Sequence, residues 1–219
     1  MGTSVRVEGD VISLALQWAQ KNRRAVTTTA AILVVIAGGA WFVVSAKARK
    51  EAFATSALRD AQMAVQAGNV PLATSDLSRL VGTYGGTAAA SEGAIVLGQL
   101  RLSQGLADSA IRELQRFTQS GPKASFGAAA YNLLGEALEQ KGRAAEAGDA
   151  YAKAAATWPY DYLRAQSLVD AGRAFRAAGD TARAVQSYQQ VVRDYGKSPA
   201  AVEAHLRLGE LRAPDTLKS

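Results

Sequence analysis

The sequence predicts an all-α protein: a single transmembrane helix followed by an α-solenoid of four 37-residue helix-turn-helix repeats and a capping helix. Three observations predict it. Twenty residues from Ala25 to Val44 carry no charge. Gly68, Gly105, Gly142 and Gly179 stand 37 residues apart each time. Ala, Gly, Leu and Arg are among the commonest residues and Pro occurs only five times, a helical bias. A chain of 219 residues suffices for one well-buried domain plus an attachment.

Residues 1–24 read as an N-terminal leader. Asp10 can cap a short helix through Arg24, whose apolar arc holds Val11, Ile12, Leu14, Ala15, Leu16, Trp18 and Ala19. Such a helix lies on a bilayer, and Val11, Ile12, Leu16 and Trp18 are its candidate membrane-interface docking residues. At 1.5 Å per residue, residues 25–44 then span roughly the 30 Å hydrocarbon core. Lys21, Arg23 and Arg24 flank the run on one side and Lys47, Arg49 and Lys50 on the other, with Trp18, Trp41 and Phe42 near the two interfaces. The Thr hydroxyls at its start can bond back to the helix backbone. Ala46-Lys47-Ala48 has the form of a signal cleavage site, but the leader and the apolar run are both longer than export signals use. The flanking basic residues tie at four on each side (Arg6, Lys21, Arg23, Arg24 against Lys47, Arg49, Lys50, Arg59), so charge does not set the orientation.

Residues 45–53 form a helical stalk. No Pro or Gly interrupts the pattern between Val44 and Gln66, so the membrane helix is expected to run unbroken into the first repeat.

The solenoid occupies residues 54–212. Besides the glycines, the 37-residue spacing recurs in Ala73, Ala110, Ala147 and Ala184, in Ala61, Gly98, Gly135, Gly172 and Gly209, and in Leu77, Leu114, Tyr151 and Tyr188. Each unit reads as two helices. The Gly near 68, 105, 142 or 179 ends the first in a left-handed conformation, and the Ala register lies in the second. The Leu or Tyr four residues after each Ala is expected to fill the gap against the next repeat. A helix pair cannot bury its apolar face alone, so stacking supplies the core. Residues 201–212 read as a lone first-type helix sealing the end, and Ala213-Pro214 opens a tail over residues 213–219.

The third unit, AAAYNLLGEALEQKGRAAEAGDAYAKAAATWPYD, resembles the tetratricopeptide repeat family through Tyr131, Leu134, Gly135, Leu138, Ala147, Tyr151, Ala154 and Pro159. The resemblance implies a non-catalytic scaffold for protein–protein contacts, with a concave groove lined by first helices. In this chain the groove positions would be Glu92, Gln99, Asn132, Glu136 and Glu139, continued by Gln166, Arg173, Arg176 and Glu203. The family's carboxylate clamp needs Lys and Asn at set positions, and Ile95 and Val169 occupy two of the matching places, leaving Asn132.

The layout of leader, span and repeats is similar to the YfgM-like family of bacterial ancillary translocon subunits. That likeness implies a cytoplasmic N-terminus and repeats in the periplasm beside the channel at the inner membrane. The stretch DYGKSPAAVEAHLRLGE is also similar to repeats in Gram-negative envelope-assembly proteins. A stably bound accessory subunit of a respiratory or photosynthetic complex is the alternative, and an enzyme using the groove a third.

Other chemistry is sparse. Without cysteine there is no disulfide, thiolate metal site or thiol nucleophile. The net charge of +6 is diluted among acids and forms no basic stripe, so no nucleic acid is expected as a partner. His205 stands alone at a first-helix packing position and reads as a core filler. Gly196-Lys197-Ser198 lacks the first glycine and the strand of a phosphate loop. Glu136 and Glu139 face Arg173 and Arg176 one period on, which reads as inter-repeat ion pairing rather than acid–base catalysis. The expected partners are proteins and the lipid bilayer, with no cofactor, metal or small-molecule substrate.

Overall fold

The computed structural model describes residues 18–212, and no strand occurs among them. The expectations for Val11, Ile12 and Leu16 and for the tail at 213–219 lie outside the described residues. The chain divides into two units, residues 1–50 and 51–219.

In the first unit, helical residues 18–21 give way to a turn at Asn22, whose Nδ2 donates to the Trp18 carbonyl at 3.0 Å. Helix α1 (Arg23–Gln66) starts there and runs for 44 residues across the boundary between the units. The Thr27 and Thr28 hydroxyls donate to carbonyls one turn back, at 2.8–3.0 Å, which removes their need for water. An 18-residue window of α1 has a mean hydropathy of 2.1 with none of it buried, so the helix is long and apolar enough to cross a membrane. Its large side chains, Ile32 to Ile36 and Trp41 to Val44, are exposed.

In the second unit, residues 51–66 of α1 pair with α2 (Val70–Thr83). Helices α3 (Ala88–Ser103) and α4 (Ala107–Gln119), α5 (Ala124–Gln140) and α6 (Ala144–Thr157), and α7 (Asp161–Ala177) and α8 (Thr181–Asp194) form three further pairs, and α9 (Pro199–Arg212) follows. The corner inside each pair has the same chemistry. Gly68, Gly105, Gly142 and Gly179 all take left-handed φ values of 69–79°, which a Cβ would penalise. The next amide reaches back five residues to the carbonyl of Ala64, Arg101, Leu138 or Phe175, a 37-residue register of its own, at 2.9 Å each time. Asn69 and Asp180 then cap the second helices of their pairs with side-chain oxygens. Helix α3 is capped by Thr87 and also by Glu51, whose two oxygens accept from the Ala88 and Ala89 amides at 3.0 Å each.

The Ala register, Ala73, Ala110, Ala147 and Ala184, is fully buried. The Leu/Tyr register does something different from the sequence expectation. A Cβ added to Gly98 would meet Leu114, one on Gly135 would meet Tyr151, and one on Gly172 would meet Tyr188. The large side chain therefore seats on the glycine of its own helix pair rather than filling the gap to the next repeat. The physical reason is that a second helix folds straight back on the first, so its inner face meets the position 16 residues earlier. Between the third and fourth pairs the filler is Phe175, pressed against Gly148 and covered by the Arg183 guanidinium 4.2 Å from its ring centroid.

Helix α9 covers the last pair with Ala200, Ala201, Ala204 and Leu208. Its other face leaves Val202 and Leu206 exposed, and with them His205. His205 is thus no core filler. Its counterpart Leu168 is buried, whereas no described element covers the matching face of α9.

Candidate functional site

The best-built polar surface lies where the first helices of the third and fourth pairs, α5 and α7, run side by side. Residues one turn apart along each helix share a face, so Asn132, Glu136 and Glu139 of α5 confront Gln166, Asp170 and Arg173 of α7. Glu139 is its hinge. One oxygen accepts the Tyr151 hydroxyl at 2.8 Å and the other the Arg173 guanidinium at 2.7 Å. The first contact closes the glutamate onto its own pair, and the second ties it to the next. Arg173 also reaches Asp170 at 3.3 Å, and the Ser167 hydroxyl donates to the Asn132 side-chain oxygen at 3.0 Å.

This cluster holds more acid than base, and burial makes its excess negative charge costly. Glu136 is raised above the ordinary value for its type first by desolvation, then by the neighbouring Asp170 and Glu139 carboxylates, with Arg173 opposing. Desolvation likewise raises Asp170, against the pull of Arg173. The Tyr151 phenol is pushed far up by desolvation and by its bond to Glu139, and stays a neutral donor. Such a surface presents carboxylates to a cationic or amide-bearing ligand. Among the described residues no group of three or more His, Cys, Asp or Glu is placed to hold a metal ion.

The other predicted positions lie on α3, α7 and α9, apart from this cluster. Arg176 pairs with Glu210 of α9 at 2.5 Å rather than with Glu136 or Glu139. Glu203 is joined to Arg207, itself bonded to Glu210. Glu92 accepts from Gln62 at 3.0 Å across the first and second pairs, and Gln99 is exposed on the same row. Asp170, Ser167 and Tyr151 were not anticipated. Asp170 shares its register with Leu133, which is buried, and the sequence signal for its role was its place three residues before Arg173.

Residues 128–197 match the family model of the tetratricopeptide repeat. No curated protein matches the chain. Solved structures with a similar fold include three of 15–20% identity. MamA is 20% identical with a TM-score of 0.54, covering 69% of this chain and 81% of its own. A tetratricopeptide repeat protein from Parabacteroides merdae ATCC 43184 is 15% identical with a TM-score of 0.57, covering 73% of this chain and 60% of its own. A Podosopora anserina kinesin light chain with nearly identical TPR-like repeats is 19% identical with a TM-score of 0.54, covering 71% and 83%. The chain therefore folds as a tetratricopeptide-type α-solenoid, and its residues 128–197 carry that repeat's sequence signature.

Proposed function

We propose that the chain is a non-catalytic, membrane-anchored scaffold of the bacterial cell envelope. The span at residues 25–44 holds it in the inner membrane with the N-terminus cytoplasmic, and the repeats bind protein segments in the periplasm, in the manner of the YfgM-like translocon subunits. Tetratricopeptide folds generally mediate protein–protein interactions, and the apolar half of α1 supports the anchor: an 18-residue window as hydrophobic as a bilayer span is left unburied by the described residues. The first-helix face around Glu139 and Arg173 is the partner surface, because it joins two repeats and offers carboxylate, amide and guanidinium groups in one row.

Two measurements on the full-length chain in native membranes test this. Carbonate extraction should leave it in the pellet, and protease added to spheroplasts should remove the repeats. Affinity isolation in mild detergent should recover translocon or envelope-assembly proteins at less than one per chain. Release by carbonate, or repeats protected from external protease, would refute the topology. One constant stoichiometric complex would instead make the chain a fixed accessory subunit.

A further inference from the structure

The apolar core of the repeats is broken once. One buried cluster runs from Ala54 to Leu97 and a second from Leu102 to Leu208, and Ala94 belongs to neither. At the break a cavity of about 630 Å³ opens among α2, α3, α4 and the start of α5, with Ala94 and Leu97 facing Phe117 and Phe126 across it. The 37-residue register explains the hollow. Where the second pair has Ala94, the third has Tyr131 and the fourth Leu168, both packed against the core. The Tyr131 ring lies beneath the Lys153 ammonium, 6.0 Å from its centroid. The counterpart of Lys153 one repeat earlier is Arg116, which lines the cavity. The second repeat thus keeps the cation and lacks the ring.

The surroundings add charge and an acceptor. Arg116 and Lys123 stand on the cavity wall, and neither forms an ion pair among the described residues; the guanidinium of Arg116 bonds only the Arg112 carbonyl. Glu113, also on the wall, engages Arg101 through Oε1 at 3.4 Å, while its Oε2 is buried without a hydrogen-bond partner. A ring with a polar hydrogen, an indole N–H or a phenol O–H, suits this combination of apolar walls, overhead cation and waiting acceptor. The size is in the range of small-ligand and side-chain pockets, which run to about 300–1,000 Å³.

We propose that this cavity, away from the first-helix face, is a second docking site that takes an acidic segment of a partner protein. One Trp or Tyr ring fills the space beneath Arg116, as Tyr131 does beneath Lys153, and carboxylates on either side of it in the segment face Arg116 and Lys123.

The test uses full-length chain in phosphatidylcholine nanodiscs and the peptide acetyl-Glu-Asp-Trp-Asp-Glu-amide, titrated by calorimetry. The peptide should bind at least about tenfold tighter than versions with Ala for Trp or with Lys at the four flanking positions. Ala94→Tyr, which restores the third repeat's solution, should raise the melting temperature and weaken binding by at least about tenfold. Should that variant not fold, Ala94→Leu copies the fourth repeat and carries the same expectation. Arg116→Gln should weaken the peptide about two- to fivefold, the size of an exposed cation–π contact. Equal affinity for the Trp and Ala peptides, or unchanged binding by both Ala94 variants, overturns the proposal. It is equally overturned if lysophosphatidylcholine binds the cavity and the peptide does not. Self-association lost on both Ala94→Leu and Tyr162→Ala would assign the cavity to the exposed Tyr160–Tyr162 pair of a second copy, again against the proposal.

Discussion

The Tyr151 ring lies directly over the α-carbon of Gly135: a methyl group built there would stand 2.6 Å from Cε1 and 2.7 Å from Cζ. Gly172 and Tyr188 repeat the relationship at the same distances. Glycine in mid-helix costs about 1 kcal/mol of helix propensity relative to Ala, so its presence at two matching points reflects the close approach of the ring. Gly135→Ala should therefore destabilise by about 1–3 kcal/mol through overpacking, exceeding the propensity gain. Gly209→Ala, the same register with nothing within 4 Å, should instead stabilise by about 0.5–1 kcal/mol. Opposite shifts in the denaturation midpoints of the two variants check this; shifts of one sign contradict it.

Ala147 is fully buried in the core cluster that runs through the last three pairs. Ala147→Leu should cost about 1–3 kcal/mol, because the seam has no room for three further carbons. An unchanged melting curve would place Ala147 at the surface and break the register.

At Gly142, φ is 70° and a Cβ would meet no neighbour within 4 Å. The penalty for a side chain there is conformational alone. Gly142→Ala should cost about 1 kcal/mol and Gly142→Val more, since branching at Cβ aggravates the left-handed clash. Urea titration distinguishes the two.

Glu139 and Arg173 should couple across the third and fourth pairs. A double-mutant cycle with Glu139→Gln and Arg173→Gln should return about 0.5–1 kcal/mol, discounted because the arginine side chain is 48% exposed. Raising the salt concentration should shrink it. A coupling of zero at low salt would show that the contact adds nothing to the junction.

The pH response of Glu136 has a definite sign. Its folded-state value lies above the ordinary 4.5, chiefly through desolvation, so the folded protein holds this proton more tightly than the unfolded chain. The resulting stability is fully present below the unfolded value and lost as pH rises through the folded one. Glu136→Gln should accordingly stabilise the protein at neutral pH, and the gain should vanish in acid. Glu210, lowered by its hydrogen bond to Arg176, behaves oppositely: its contribution exists above the unfolded value and fades as pH falls. Melting temperatures measured across the acid-to-neutral range would check both.

Local chemistry and periodicity sufficed for the helices, the four glycine corners and the buried Ala register, because each depends on a backbone preference or a side-chain volume repeated in step. The uncharged run at residues 25–44 was legible for the same reason, its length and composition being properties of the segment itself. Only the tertiary structure decided which helix each large residue meets. Tyr151 turned back onto Gly135, Arg176 chose Glu210 over the nearer-looking glutamates of α5, and Asp170 joined a polar row although its counterpart one repeat earlier, Leu133, is buried in the core. The empty space above Ala94 was equally hidden, since a missing side chain becomes a cavity only when the surrounding helices hold their distance. A repeat in sequence specifies what recurs within a unit; the contacts between units depend on where residues of different periods arrive in space, which the packing of all the helices together determines.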